Sequence, residues 1–164
     1  MQGTSVGRYR FIAMFAAIFA LGQLAVVSSR TYVADWLVTA PAGHTLAALF
    51  PSDGVLTADS QISSQRVRLN ILPGCEGTEL FLLLCAGVLA FPSRWPAKVR
   101  GLLAGLPLAF VLNQLRVVLL YAVVRDHSSQ FELVHAYIAP TAFVVCLGMF
   151  YWWWTAVSST NRSP

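Results

Sequence analysis

Four stretches of the chain are apolar enough to be candidate membrane helices. They cover about residues 11–29, 76–91, 101–124 and 133–154, and the second is the shortest. A helix rises 1.5 Å per residue, so a bilayer core of about 30 Å takes roughly 20 apolar residues. The pattern predicts an all-α integral membrane bundle of about four transmembrane helices, forming one domain over residues 1–164. The first stretch exceeds the 7–15 residues of a typical signal-peptide core, so we expect a retained anchor rather than a cleaved signal.

The segment between the first two stretches, residues 30–75, has a different pattern. Residues 31–53 mix aromatic and aliphatic side chains with Asp35, Pro41 and Gly43, and are too interrupted to span. We expect this part to be an amphipathic segment at the membrane interface, although partial insertion remains an alternative.

Period-two alternation follows further along this segment. Residues 66–71 alternate strictly between polar and apolar side chains, which is typical of a half-buried strand. Residues 55–62 are the expected partner in a short β-hairpin. Pro73 and Gly74 then end the strand, so Cys75 is predicted to lie at the start of the second helix.

Composition supports a membrane protein. The chain is 57% hydrophobic and 11% charged, whereas soluble domains carry about 25% charged residues. Its formal charge is +4, but the basic excess flanks apolar segments, which indicates membrane orientation and argues against a nucleic-acid partner.

The distribution of basic residues predicts which segments face the cytoplasm. They are densest at the N-terminus and in residues 92–100, so both should be cytoplasmic, and residues 30–75 and 125–134 should face outward. Arg66 and Arg68 run against this assignment, but long loops translocate with little regard to charge.

With this topology, three chemically capable side chains reach the outer side from three different spans. Cys75 opens the second span and His135 opens the fourth, while Arg116 lies about nine residues inside the third, roughly 13 Å deep. A long arginine side chain can extend towards the interface. Glu79, four residues after Cys75, is the expected counter-ion of Arg116, and Asn113 lies one turn from Arg116.

Each of these residues also has a purely structural interpretation. A lone cysteine is often a small apolar filler, which is our interpretation of Cys85 and Cys146. A histidine at an interface is often only a solvated side chain, as we expect for His44 and His127. An arginine within a span costs about 2.5–3.5 kcal/mol to insert, so a functional role is the better default for Arg116.

The three groups together provide the chemistry of acyl transfer. A thiolate is the nucleophilic form of cysteine, and a helix N-terminus and a nearby cation both favour it. An imidazole can receive the thiol proton and return it to a leaving amine, and a guanidinium can stabilise an oxyanion. These groups suffice for reaction at a peptide carbonyl, so we expect neither a cofactor nor a metal.

Three motifs resemble the exosortase/archaeosortase family, and the resemblance covers about residues 54–157. They are Gly74-Cys75-Glu76-Gly77, Asn113-Gln114-Leu115-Arg116 and His135 at the start of the last span. The resemblance implies Cys75 as the nucleophile, Arg116 as the oxyanion or substrate-positioning group and His135 as the general acid/base, with Asn113 in support. Glu76 stands where many members have Ser or Ala, and the chain is short, so it looks most like the compact exosortase H-like branch.

The resemblance also implies a function and a partner. Members are regarded as membrane cysteine transpeptidases or proteases acting on exported proteins that carry a C-terminal motif, a hydrophobic helix and a basic tail. We therefore expect processing of such substrates through a thioester at the outer face of the inner membrane, in contact with lipid. Hydrolysis and transfer to an amine acceptor are both open.

Two other classes of function compete with this prediction. The chain is alternatively a non-catalytic assembly or interaction subunit in which an Arg116–Glu79 pair fixes helix packing. A metal-dependent hydrolase using Cys75, Glu79 and His135 ranks last, because the sequence has no zinc-site spacing such as C-x-x-C or H-E-x-x-H.

Overall fold

The computed structural model of the chain describes residues 3–58, 60–71 and 76–160. The described residues are mostly helical, with one small antiparallel sheet. The α-helices are α1 (Gly3–Ala34), α2 (Ala40–Leu49), α3 (Thr78–Ala90), α4 (Trp95–Asp126), α5 (Phe131–Leu133) and α6 (Ala139–Thr160). Two π-helical segments cover Asp35–Thr39 and Val134–Ile138, and short 3-10 turns cover Pro51–Asp53 and Ser128–Gln130.

Three helical stretches are long and apolar enough to cross a membrane. They are Gly7–Ser29, Trp95–Asp126 and Ser128–Ser159, while Thr78–Ala90 is a shorter apolar helix. The predicted all-helical membrane fold is confirmed. The first predicted span ends where α1 departs from helical geometry, at Ser29 with φ −117° and ψ 17°.

The second predicted helix begins later than the sequence suggests. It starts at Thr78, three residues after Cys75, and Gly77 has φ +72°, outside the right-handed helical region. The prediction that Cys75 opens this helix is therefore wrong. Cys75 itself lies outside the described residues, so its own geometry stays a prediction.

The sheet precedes this helix and contains one strand more than predicted. Strands β1 (Leu56–Ala58), β2 (Gln61–Ser63) and β3 (Arg68–Asn70) pair antiparallel in that order. The segment 55–62 is therefore not one strand but a hairpin of its own. It reverses near Ser60, whose φ of 63° lies in the left-handed region used by tight turns.

The alternation predicted for residues 66–71 is confirmed by their burial. Val67 is buried and Leu69 is half-buried, whereas Arg66, Arg68 and Asn70 are exposed. Because side chains of a strand alternate between its two faces, the apolar set lies against the core and the basic set lies on the outside.

The predicted interfacial segment, residues 31–53, is largely helical. One face of it is buried through Val38, Ala42 and Leu46, which recur every four residues, as expected for one helix face. Trp36 on another face is 81% exposed. Its location at the membrane interface stays a prediction.

The chain divides into two compact units. Unit 1 comprises residues 1–28, 78–109 and 145–164, and unit 2 comprises residues 29–77 and 110–144. This division does not test whether the whole chain forms one membrane domain, which stays a prediction.

Unit 1 is packed through aromatic rings against glycines. The Phe91 and Trp154 ring centroids are 5.4 Å apart, and the Trp154 indole N–H donates to the Ala97 carbonyl at 3.0 Å. A methyl group at Gly101 would overlap the Trp154 ring, so the helix backbone and the ring approach as closely as glycine allows.

Unit 2 has its own hydrophobic core. Buried side chains of the π-helical segment, α2, the sheet region and α4 form this core. They are Val38, Ala42, Leu46, Ile62, Val67, Val117 and Tyr121.

Candidate active site

Asn113 of α4 holds the residues that follow Cys75. It is 1% exposed, and its Nδ2 donates to the backbone carbonyl of Glu76 at 3.0 Å. Glu76 is the residue next to Cys75 in the chain and is itself buried. A buried amide hydrogen bond of this kind fixes the backbone of Glu76, which belongs to no helix or strand.

Gly77 allows the close approach on which this contact depends. Its φ of +72° is costly for any residue with a side chain, and a methyl group there would overlap Oδ1 of Asn113. The backbone after Cys75 therefore requires glycine for two independent reasons.

Arg116 lies one turn after Asn113 on α4, in a groove whose other lining residues are apolar. The groove encloses about 190 Å³ between α4 and α6. Arg116 is half-buried, and its Nε is buried without a hydrogen-bond partner within the described residues. The other lining residues are Leu112, Leu115, Leu119, Ala139, Ala142 and Phe143.

This environment makes Arg116 an unusual arginine. A buried polar atom is normally paired, and a charged group in an apolar setting carries a large desolvation cost. Such a group is expected where a function requires it, because packing alone would favour a leucine at that position.

His135 lies in the π-helical segment Val134–Ile138, directly before α6. Its ring is half-buried and stacks on Phe131, with centroids 5.1 Å apart and planes 8° from parallel. His135 precedes Ala139, which lines the Arg116 groove, by about one helical turn. Stacking restricts the orientation of the imidazole, as a general acid/base requires.

Among the other predicted residues, Glu79 is exposed on α3 and belongs to unit 1, whereas Arg116 belongs to unit 2. Their pairing stays a prediction. Cys85 is half-buried and Cys146 is exposed, and both are free thiols. Within the described ranges, no group of three His, Cys, Asp or Glu side chains is placed to hold a metal ion.

Sequence reasoning missed a buried polar cluster in unit 2. Asp53 is 1% exposed, and one of its carboxylate oxygens lies 2.8 Å from Arg125 Nε and accepts a hydrogen bond from the Tyr121 hydroxyl at 3.0 Å. The same hydroxyl lies 2.9 Å from Ser64 Oγ. The Arg125 guanidinium also lies over the Phe50 ring, 4.7 Å from its centroid.

This cluster joins the 3-10 turn after α2 and the loop after β2 to the end of α4. A second contact joins the preceding π-helical segment to α4, since Gln114 Nε2 donates to the Leu37 carbonyl at 2.8 Å. Together these contacts position the chain around Asn113 and Arg116.

The fold and this site define an integral membrane protein with a polar site buried within its unit 2. The family model that describes transmembrane exosortases (Exosortase_EpsH) matches residues 4–152. The chain belongs to the transmembrane exosortase family, as the sequence motifs predicted. Neither the comparison with curated proteins nor the comparison with solved structures found a match.

Proposed function

We propose that the chain is a membrane-embedded cysteine transpeptidase or protease that cleaves the C-terminal sorting signals of exported proteins at the outer face of the inner membrane. Cys75 is the nucleophile, His135 the general acid/base and Arg116 the oxyanion-stabilising group. Membership of the exosortase family supports this proposal. The structural observation that carries it is the hydrogen bond that Asn113 donates to the Glu76 carbonyl, because Glu76 is next to Cys75 in the chain and Asn113 lies one turn from Arg116 on α4.

The reaction begins with transfer of the Cys75 thiol proton to the His135 imidazole. The thiolate attacks the carbonyl carbon of the scissile peptide, and the Arg116 guanidinium stabilises the resulting oxyanion. Collapse of the tetrahedral intermediate breaks the C–N bond, and His135 returns the proton to the leaving amine. The product is a thioester between Cys75 and the new C-terminus of the substrate.

Water or an amine acceptor then resolves the thioester. His135 takes a proton from the incoming nucleophile, which attacks the thioester carbonyl, and the sulfur leaves and is reprotonated. Attack by water gives a free acid, and attack by an amine gives a new amide. Both reactions release the Cys75 thiol.

The sheet offers a way to position the substrate backbone. β3 is an edge strand, since it pairs with β2 alone among the described strands. An extended segment can add to such an edge through main-chain hydrogen bonds. The motif of a sorting signal would lie beside β3, and its hydrophobic helix would stay in the bilayer with its basic tail in the cytoplasm.

The test is processing of a co-expressed protein that carries a sorting signal, read by mass spectrometry of the product. Cys75→Ala should abolish processing at normal membrane levels of the protein, whereas Cys85→Ala and Cys146→Ala should retain it. His135→Ala should lose most of the activity and His127→Ala should not. Normal processing by the Cys75→Ala protein would contradict the proposal.

The competing function, a non-catalytic subunit, predicts a different reactivity of the thiol. An activated Cys75 should react with iodoacetamide at neutral pH faster than free cysteine does. The Cys85→Ala/Cys146→Ala protein isolates the Cys75 signal. A slower reaction, together with unprocessed substrate, would favour the non-catalytic alternative.

A further inference from the structure

Unit 1 contains a basic cavity that the proposed chemistry does not use. The cavity holds about 410 Å³ and has two guanidinium groups, Arg94 and Arg100, in its lining. The remaining lining residues are Pro96, Ala97 and Ser158. No acidic side chain lines it, and in the described part of the chain neither arginine has a carboxylate partner within 4.0 Å.

An apolar groove continues directly from this cavity. The groove holds about 390 Å³ and shares Ala97, Arg100 and Ser158 with the basic cavity. It runs between α4 and α6, and the remainder of its lining is aliphatic or aromatic. These residues are Leu103, Ala104, Trp153, Trp154 and Val157.

Neighbouring tryptophans indicate how deep Arg94 and Arg100 lie in the membrane. Trp95 is 70% exposed and Trp152 is 74% exposed, and exposed tryptophans favour the headgroup region. The described residues of unit 1 are also strongly basic, with a single acidic residue. The basic residues are Arg8, Arg10, Arg94, Lys98 and Arg100, and the acidic residue is Glu79.

We propose that this cavity and groove form a binding site for one anionic phospholipid, with its phosphate at Arg94 and Arg100 and an acyl chain along the groove. Guanidinium groups bind phosphate through paired, charge-assisted hydrogen bonds. Charge complementarity selects the anionic headgroup, and the continuous apolar groove selects an attached hydrocarbon chain over a free phosphate. The site rests on residues of unit 1 and is independent of the assignment of Cys75, Arg116 and His135.

Native mass spectrometry of the purified full-length protein tests this site. The probes are dioleoyl phosphatidylglycerol and dioleoyl phosphatidylcholine, which differ only in the headgroup. The unaltered protein should prefer phosphatidylglycerol about 10- to 30-fold, as two basic side chains near an anionic lipid suggest. The Arg94→Gln/Arg100→Gln protein should lose this preference.

The matched control removes two positive charges from exposed positions of unit 2. The Arg66→Gln/Arg68→Gln protein has the same change in net charge and should keep the preference. Equal loss in both double variants, or no preference in the unaltered protein, would overturn the proposal.

A second variant tests the groove without altering charge. Ala104 is exposed in the groove, so Ala104→Trp should weaken binding of both lipids several-fold and leave their ratio unchanged. Glycerol 3-phosphate at the same concentration should displace no phosphatidylglycerol. Full displacement by this headgroup alone, or unchanged binding by the Ala104→Trp protein, would show that the groove does not hold an acyl chain and would overturn the proposal.

Discussion

Different interactions stabilise the two units. Unit 1 relies on close packing of rings against glycine backbone, as at Gly101 and Trp154. Unit 2 contains four of the five buried polar residues found among the described residues, namely Thr39, Asp53, Glu76 and Asn113, against Ser158 in unit 1. Packing of small residues and rings suffices to hold membrane helices together, whereas buried polar groups are costly and persist where they position chemistry.

The irregular backbone follows the same division. Both π-helical segments, the sheet and Gly77 belong to unit 2, whereas the described part of unit 1 is regular helix apart from the turn between α3 and α4. Non-helical backbone within a membrane protein needs internal hydrogen-bond partners. Asn113 and Gln114 supply such partners for Glu76 and Leu37. Unit 2 therefore combines irregular backbone with side-chain partners that fix it, whereas the described part of unit 1 is held by helix packing.

After the complete loss expected for Cys75→Ala, the largest predicted effect is at Arg116. Arg116→Lys should reduce processing about 100-fold or more, because an ammonium keeps the charge but lacks the planar fork of donors. Arg8→Lys is the matched control, since Arg8 is exposed on α1 in unit 1, and it should stay within about twofold of the unaltered protein. Initial rates of substrate cleavage at equal protein levels provide the measurement. If the Arg116→Lys protein were as active as the unaltered protein, only the charge of Arg116 would be needed for the reaction.

The next effect is at Gly77. Gly77→Ala should reduce processing at least tenfold, because alanine at φ +72° is strained and its methyl group displaces the Asn113 amide. Gly148→Ala in α6 has no neighbour within 4 Å of the added methyl group and should be neutral or slightly stabilising. Cleavage rate and melting temperature in detergent should be measured for both. A Gly77→Ala protein with unchanged rate would show that the loop after Cys75 need not hold this geometry.

The smallest effect compares one tyrosine hydroxyl from each unit. Tyr121→Phe removes a hydrogen bond to the Asp53 carboxylate and should destabilise by about 1.5–3 kcal/mol. Tyr151→Phe removes a hydrogen bond of 3.1 Å to the neutral Gly87 carbonyl and should lower the free energy of unfolding by about 0.5–1.5 kcal/mol. Unfolding in detergent measures both. A larger loss for Tyr151→Phe would contradict the contrast drawn between the units.

Local sequence pattern predicts what depends on local periodicity. The apolar stretches predict the long helices, and the alternation of residues 66–71 predicts which side chains of β3 and its flanks are buried. The motifs around Cys75, Arg116 and His135 predict the family, which the match over residues 4–152 confirms.

The features that the sequence did not predict depend on contacts between residues that are far apart in the chain. Asp53 and Tyr121 are 68 positions apart, so neither residue indicates the other in the sequence. Pro73 and Gly74 indicate a break before the second helix, but the helix begins only after Gly77. The positive φ of Gly77 is stabilised by packing on Asn113, a residue of a different helix.

The most direct test of the account is a search for the thioester on Cys75. The His135→Ala protein is incubated with a substrate carrying a sorting signal, quenched in acid and digested, and the Cys75 peptide is weighed by mass spectrometry in parallel with the unaltered protein. The account predicts a substrate fragment joined to Cys75, removed by hydroxylamine, in the unaltered protein and far less of it in the His135→Ala protein. Substrate cleaved at a normal rate with the adduct on Cys85 or Cys146, or processing that continues after Cys75→Ala, would contradict it.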